Sequence, residues 1–128
     1  MKTPMRFDPE TQVVGIDRDF RASLHPERPD PTVPVEGMVV GIATMSENSP
    51  HGGERHPDGD ETLYLISGRV RIVFLDRDEA DIELGPGEGA VVPQGWWHRV
   101  DVLEPCQIVY LTPGPNGEYL PRTDDTNP

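Results

Sequence analysis

The sequence predicts an all-β protein, a sandwich or barrel built from short strands. Proline (15 residues) and glycine (13 residues) together exceed a fifth of the 128-residue chain, and apolar residues make up only 34% of it. This composition is typical of many short elements joined by turns rather than of long helices. The hydrophobic pattern agrees, because short apolar segments recur between glycine or proline turns without a convincing helical period.

Strand candidates follow one another from Val35 onward. Val35 to Met45 is apolar on both faces, as expected of a strand buried in a sandwich. Glu61 to Ile66 runs into Ser67-Gly68, which predicts a hairpin turn, and Val70 to Leu75 returns. Four shorter candidates follow, over residues 80–84, 89–92, 97–102 and 106–112.

The length predicts a single domain, which we divide into three parts. Residues 1–34 are polar and proline-rich, and we expect an arm that lies against the barrel or a second subunit, with one strand at Gln12 to Ile16. Residues 35–113 form the predicted barrel, and residues 114–128 a tail that frays. A small barrel leaves a sheet edge and an apolar face exposed, so the arm and the strand from Val35 to Met45 predict a homodimer.

The charge balance excludes some classes of partner. The chain has 23 acidic and 11 basic residues, a net charge of −12, which argues against binding to nucleic acid or to an anionic membrane surface. Cys106 is the one cysteine, so no disulfide can form within the chain. The N-terminal residues lack an apolar signal region and no apolar run reaches membrane-spanning length, so we expect a soluble, cytoplasmic protein.

Side chains able to bind a metal recur at short spacing in two segments. Glu54-Arg55-His56 is followed after four residues by Glu61, and His98 closes the segment Pro93-Gln94-Gly95-Trp96-Trp97-His98. If the first segment is extended, Glu54 and His56 point to the same face, because successive side chains alternate. Short strands separated by glycine turns can bring such side chains to one internal point of a small barrel.

Glu61 shares a strand face with Leu63 and Leu65. Burying its charge beside two leucines is costly unless something compensates it. A divalent cation flanked by His56 and His98 would do so. The alternative is that Glu61 is solvated at the strand entrance and that both histidines are ordinary polar residues.

These segments resemble the two sequence motifs of the cupin superfamily, and the resemblance covers roughly residues 35 to 113. The first motif is a glycine, five residues, His-x-His, three or four residues, Glu, six residues and Gly. The second is a glycine, five residues, Pro-x-Gly, two residues, His, three residues and Asn. The matched positions are His56, Glu61, Gly68, Gly87, Pro93, Gly95 and His98. The resemblance implies a double-stranded β-helix of the jelly-roll type, a cupin barrel with a metal inside its mouth.

The chain departs from these motifs at three positions. Glu54 stands where the first histidine is expected, Asn48 replaces the glycine before it, and Val102 replaces the closing asparagine. Glu54 can still bind a metal through oxygen and keeps the spacing, so we favour it as a ligand. His51 is the rival, if Gly52-Gly53 form a bulge that reverses the facing of the strand.

The implied cofactor is a divalent metal ion. Two imidazoles with one or two carboxylates suit Fe²⁺, Mn²⁺, Ni²⁺ or Zn²⁺, and the extra carboxylate favours Mn²⁺ or Fe²⁺. The expected ligands are Glu54, His56, Glu61 and His98. The residues expected to shape a water-poor pocket beside them are Leu63, Leu65 and Trp96. In a competing interpretation Glu54 is catalytic, a general base whose pKa the apolar pocket raises.

Three hypotheses for the function stay open at this point. The first is a metal-dependent enzyme acting on a small oxygenated metabolite, of the oxygenase, isomerase or lyase type. The second is a non-catalytic cupin that binds or senses a small molecule with the same site. The third is a structural module with a vestigial site, against which the retained Glu61, His56 and His98 argue. The fold by itself does not decide among them.

Overall fold

The computed structural model describes residues 3–26 and 35–121, and within these ranges the chain forms nine β-strands and no helix. The prediction of an all-β fold is therefore confirmed. Residues 3–26 and 35–121 accordingly contain no helix that could cross a membrane. The strands are β1 (Gln12–Asp17), β2 (Ala22–Pro26), β3 (Gly37–Met45), β4 (Gly53–Arg55), β5 (Glu61–Phe74), β6 (Ile82–Leu84), β7 (Gly89–Val92), β8 (His98–Gly114) and β9 (Glu118–Leu120).

Two long strands, β5 and β8, run antiparallel and belong to both halves of the barrel. Residues 62–65 of β5 pair with residues 108–111 of β8, and residues 70–74 pair with residues 98–102. Strands on either side of the pairing of residues 62–65 with 108–111 give the order β2-β1-β3-β8-β5-β7, here called the first sheet. Strands on either side of the pairing of residues 70–74 with 98–102 give the order β6-β5-β8-β4-β9, here called the second sheet. Register shifts in β5 between Leu65 and Val70 lie where the two sheets meet.

The hydrophobic core lies between the two sheets. Its buried members are Leu63, Leu65, Val70, Ile72, Phe74, Leu84, Val92, Cys106 and Ile108. Leu65, Val70 and Ile72 are completely buried and lie on both sides of the register shifts in β5. Burying each such side chain stabilises the fold by about 1.5–3 kcal/mol. Both halves of β5 are therefore anchored in one core.

The hairpin predicted at Ser67-Gly68 is wrong, because β5 continues through both residues. Gly68 has a φ of +82°, and a Cβ built on it would collide with the backbone carbonyl of Pro105 in β8. The glycine thus lets β5 bend tightly against β8 instead of turning back. The separate strands predicted over residues 97–102 and 106–112 are likewise one strand, β8, which passes Gly68 between them.

The N-terminal segment contributes two strands to the first sheet. The predicted strand at Gln12 to Ile16 corresponds to β1, which pairs with β3. The second strand, β2, was not predicted, because its sequence Ala-Ser-Leu-His-Pro shows little hydrophobic alternation. Residues 27–34, with most of the proline-rich run, lie outside the described residues, as do residues 1–2 and 122–128. The three-part division of the chain stays a prediction.

The chain does not fray immediately after residue 113, contrary to the expectation for the tail. Strand β9 pairs with β4. The guanidinium of Arg55 in β4 donates two hydrogen bonds to the carboxylate of Glu118, at 3.0 and 3.1 Å. Asn116 donates two more to Asp58. These polar contacts hold β9 against one end of the barrel.

Gly68→Ala should destabilise the protein more than Gly87→Ala. Both glycines have a φ of +82°, so alanine in either place carries a similar backbone cost of roughly 1–2 kcal/mol. A Cβ at Gly87 meets no described atom within 4 Å, whereas one at Gly68 meets the backbone of Pro105 and Cys106. We expect Gly68→Ala to lower the free energy of unfolding by about a further 1–3 kcal/mol, measured by urea denaturation. Equal losses would contradict the close approach of β5 and β8.

Candidate metal centre

Four side chains able to bind a metal converge at one end of the barrel. Glu54 in β4 lies directly opposite His98, the first residue of β8. His56 follows β4, and Glu61 begins β5. One donor atom of each residue lies within 4.8 Å of the donor atoms of the other three. The structure therefore brings together the four residues that the sequence nominates as ligands.

The ε2 nitrogens of both imidazoles face the two carboxylates. Nε2 of His98 lies 2.9 Å from Oε1 of Glu61 and 3.5 Å from Oε1 of Glu54. Nε2 of His56 lies 3.2 Å from Oε2 of Glu61 and 3.7 Å from Oε2 of Glu54. Each carboxylate thus presents one oxygen to each imidazole. The result is a compact set of two nitrogen and two oxygen donors.

Two hydrogen bonds orient these donors from outside the cluster. Nδ1 of His98 lies 3.0 Å from the backbone carbonyl of Trp96, to which it donates, so Nε2 is left to face the carboxylates. The hydroxyl of Thr112 donates to Oε2 of Glu61 at 2.5 Å. The sequence motifs did not indicate Thr112. Alternation along β8 from the buried Ile108 would have placed it on the inward face.

Three of the four side chains are buried, and one carries unsatisfied atoms. His56, Glu61 and His98 are 4%, 3% and 0% exposed, so the alternative of a solvated Glu61 is wrong. Among the described residues, Nδ1 of His56 has no hydrogen-bond partner, and Nε2 contacts the two carboxylates without the geometry of a hydrogen bond. A buried polar atom without a partner costs about 1–3 kcal/mol. A divalent cation between the four donors would satisfy Nε2 of His56 and offset both carboxylates, so the donor set fits a metal.

The two imidazoles compensate the two carboxylates electrostatically. Burial alone would lower the pKa of both histidines, but Glu54 and Glu61 outweigh it and raise the pKa of His56 to about 9 and that of His98 to about 10. Burial alone would raise the pKa of both glutamates, yet contact with the imidazoles holds each pKa below its usual value. The apolar pocket therefore does not raise the pKa of Glu54, as a buried general base would require.

A cavity of about 670 Å³ adjoins the four side chains. Its aliphatic lining consists of Val35, Val39, Ala43, Met45, Leu63, Val100 and Ile108. Leu63 thus lies in the pocket as expected, but Leu65 and Trp96 are not part of this lining. Leu65 is completely buried in the core. The ring of Trp96 packs edge-on against Phe74, with the guanidinium of Arg77 3.8 Å from its centroid.

His51 and Tyr119 lie at the outer edge of the site, where both also line the cavity. Nε2 of His51 is 4.0 Å from Oε2 of Glu54, and its ring centroid is 5.2 Å from that of Tyr119. The cluster of four donors includes Glu54 and not His51. Tyr119 was missed because its place depends on the pairing of β9 with β4, which no hydrophobic period in residues 114–121 signals.

The chain belongs to the cupin family. The family model of the cupin domain matches residues 41–112, more than half of the chain. This confirms the resemblance, and with it the double-stranded β-helix that it implies. The matched region contains Glu54, His56, Glu61 and His98, whereas β1, β2 and β9 lie outside it.

Two curated relatives are acireductone dioxygenases of Rhodopseudomonas palustris. The chain is 38% identical to the protein of strain TIE-1 and 36% identical to that of strain ATCC BAA-98 / CGA009, over 77 residues in each case. The match covers 59% of this chain but only 39% of each relative. The matched segment therefore spans well under half the length of these proteins.

Solved structures share the fold at lower identity. A cupin-2 domain-containing protein of Shewanella frigidimarina is 24% identical with a TM-score of 0.51, over 64% of this chain and 76% of that one. Oxalate decarboxylase of Bacillus subtilis is 19% identical with a TM-score of 0.56, over 67% of this chain and 24% of that one. At these identities the likeness shows the fold alone.

The stability of the protein in the presence of a chelator should be greatest between about pH 4.5 and 6.5. The pKa values of His56 and His98 rise from 6.5 in the unfolded chain to about 9 and 10. Their stabilising contribution is therefore complete below pH 6.5 and is lost as the pH rises toward 9–10. The lowered pKa values of Glu54 and Glu61 give a contribution that is lost as the pH falls below their usual 4.5.

Thermal unfolding between pH 4 and pH 10 would measure this dependence. In a His56→Gln/His98→Gln variant, the loss of stability above pH 6.5 should be absent. A melting temperature of the parent protein that rises from pH 6.5 to 9 would contradict the proposed pairing of imidazoles and carboxylates.

Proposed function

We propose that this cupin holds a divalent metal ion with Glu54, His56, Glu61 and His98 and is an enzyme acting on a small oxygenated metabolite. The observation that carries the proposal is the buried cluster of two imidazoles and two carboxylates beside a largely apolar cavity. A structural role alone would not need, at the wall of that cavity, a buried imidazole whose Nδ1 has no hydrogen-bond partner among the described residues.

The donor set favours particular metals. Imidazole nitrogens suit Fe²⁺, Ni²⁺ and Zn²⁺ as well as Mn²⁺, and each added carboxylate makes a site harder and more negative. With two carboxylates among four donors, we propose Mn²⁺ or Fe²⁺ before Ni²⁺ or Zn²⁺. Glu54 is assigned to metal binding rather than to proton transfer, because its low pKa keeps it ionised and makes it a weak base.

The remaining residues of the site support that chemistry by position. A bound metal would polarise and orient the oxygen atoms of a chelating substrate. The Trp96 carbonyl fixes the ring of His98, and the Thr112 hydroxyl fixes the carboxylate of Glu61. The aliphatic wall of the cavity excludes water from the side facing the donors.

Among oxygenation, isomerisation and lyase chemistry, we place oxygenation first. The support is that both curated relatives are acireductone dioxygenases, matched over a segment that includes the cupin barrel. A substrate of the enediol type would offer two neighbouring oxygens as metal ligands. The substitution of Glu54 for the first motif histidine favours a second candidate, a cupin that binds or senses such a ligand without turnover.

Elemental analysis of protein purified without an affinity tag or chelator tests the proposal. We expect near-stoichiometric Mn, Fe, Ni or Zn in the parent protein and none in a His56→Ala/His98→Ala variant. The matched control is His25→Ala, because His25 lies in β2 outside the cluster and should not affect the metal. Absence of metal from the parent even after reconstitution would exclude the enzyme as proposed. If the protein holds a metal but shows no oxygen uptake, isomerisation or cleavage with enediol substrates, the second candidate is supported, a cupin that binds its ligand without turnover.

Glu54→Gln should weaken metal binding at least tenfold. The amide removes the charge of one of four donors while keeping its size. His51→Ala is the paired variant and should bind metal like the parent protein, because His51 lies outside the cluster. Titration with Mn²⁺ followed by calorimetry measures both. Retained affinity in Glu54→Gln with loss in His51→Ala would assign the fourth ligand to His51.

A further inference from the structure

We infer that the ligand of this cavity joins a chelating oxygen head to an uncharged apolar body of several carbons. The inference rests on the proposed function, because the metal would bind the head. Three of the four donor residues, Glu54, His56 and Glu61, line the cavity, and seven aliphatic side chains line much of the rest. Binding energy would therefore come from two chemically different ends of the same molecule.

The charges around the cavity limit the ligand to one anionic end. Within the described part of the chain, no lysine or arginine lines the cavity. One divalent cation at the cluster would bind the oxygens of a single chelating head, and no lysine or arginine of the described lining is left for a second anionic group. A carboxylate or phosphate on the body of the ligand would lie against Val39, Ala43 and Met45 without a lysine or arginine to pair with, at a large desolvation cost.

The size of the cavity argues against very small acids. Its volume of about 670 Å³ falls within the range of about 300–1,000 Å³ typical of sites that enclose drug-sized ligands. A two-carbon acid bound at the donors would leave the aliphatic wall in contact with water. An apolar body would cover that wall and gain its burial energy.

A series of alkyl hydroxamates tests the inference, because the chelating head stays constant while the chain lengthens. With Mn²⁺-loaded protein, the affinity should rise from acetohydroxamate to octanohydroxamate by about three- to fourfold for each methylene that is buried. A chain of the same length that ends in a carboxylate should bind at least tenfold more weakly than octanohydroxamate. Isothermal titration calorimetry measures all three.

Ala43→Phe would fill the apolar part of the cavity from β3 and should abolish the gain in affinity with chain length. Thr44→Phe is the matched control, since the next residue of β3 points to the opposite, exposed face. Affinity independent of chain length, or tight binding of the carboxylate-ended chain, would overturn the inference alone. Failure of the parent protein to hold Mn²⁺ or acetohydroxamate would instead overturn the proposed function.

The outward face of the first sheet carries a second feature, two rows of uncharged side chains across its strands. The strand registers place Val14, Val40, Leu111, Thr62 and Val91 side by side in one row. They place Ile42, Val109 and Tyr64 in the next row. Tyr64 and Val91 are 48% and 57% exposed. In a chain with 27% charged residues, an apolar face of this extent indicates a covered surface.

The outward face of the second sheet is charged, although it is built from the other halves of the same two long strands. Arg69 of β5 pairs with Glu83 at 2.9 Å. Arg99 and Asp101 of β8 pair at 2.7 Å. The absence of charge from the two apolar rows is therefore specific to the first sheet.

We propose that a second copy of this chain covers the apolar rows and forms a twofold homodimer. Two molecules that each carry a net charge of −12 repel one another unless they meet through uncharged surface. Leu24 of β2 extends the first row to six strands, roughly 24 Å across at about 4.8 Å per strand. That width is on the scale of a standard protein interface. In a twofold dimer the same face of both copies forms the interface, so an uncharged apolar face can pack against its own copy.

Sedimentation velocity at micromolar concentration should show a dimer of the parent protein. Tyr64→Glu/Val91→Glu should sediment as a monomer, because each copy would bring two further carboxylates into the interface. The matched control Val73→Glu, on the outward face of the second half of β5, should stay dimeric. Circular dichroism verifies that each variant is folded. A monomeric parent protein would overturn the proposal, whatever else covers the rows. A dimer that only Val73→Glu dissociates would overturn it as well.

Discussion

Two carboxylates and two imidazoles meet at one end of the barrel core. The attraction between the carboxylates and the imidazoles offsets the free-energy cost of burying each of them. Glu61 is the centre of this arrangement, because one of its oxygens faces His98 while the other faces His56 and accepts from Thr112. A buried carboxylate without such partners would cost several kcal/mol. The alignment of β4, β5 and β8 at this end of the barrel is therefore constrained by electrostatics as well as by packing.

The two long strands serve two sheets with one continuous inner face. Leu63 and Leu65 before the bend, and Val70 and Ile72 after it, all contribute to the same core. The bend depends on Gly68, since a side chain there would collide with β8. Because the inner face is shared, the residues of the cluster at the start of β5 lie on the same strand as the buried core residues Leu63 and Leu65. The outer faces differ, with uncharged side chains on one sheet and ion pairs on the other.

Local patterns predicted most of the strands and nominated four residues that the structure brings together, but not β2, β4 and β9 or the connections between strands. The spacing of Glu54, His56, Glu61 and His98 was readable because motif positions are local in sequence. The hairpin at Ser67-Gly68 was wrong because a left-handed glycine fits a turn and a bulge equally well. Only the carbonyl of Pro105, distant in sequence, distinguishes them. Trp96 and Leu65 were misplaced for a related reason, since alternation gives the face of a strand but not which inward residues meet a cavity.

The edge of the site formed by β9 also could not be predicted from local sequence patterns. Tyr119 reaches the cavity through pairing of β9 with β4, and the ion pair of Arg55 with Glu118 spans 63 residues. No short window of the sequence contains both partners. Residues with little hydrophobic pattern can therefore be ordered when polar contacts to a distant strand hold them.

The wide separation of the proposed ligands along the chain also has a consequence for the order of events in folding. Glu61 and His98 are 37 residues apart, and Thr112 lies 51 residues after Glu61. Closing such loops is entropically unfavourable until the long-range pairing of β5 with β8 is complete. A partly folded chain would thus present scattered histidines and glutamates with low affinity for any ion. Binding of the proposed metal would then be the last step of folding and would favour, among compact species, the one with the correct strand register.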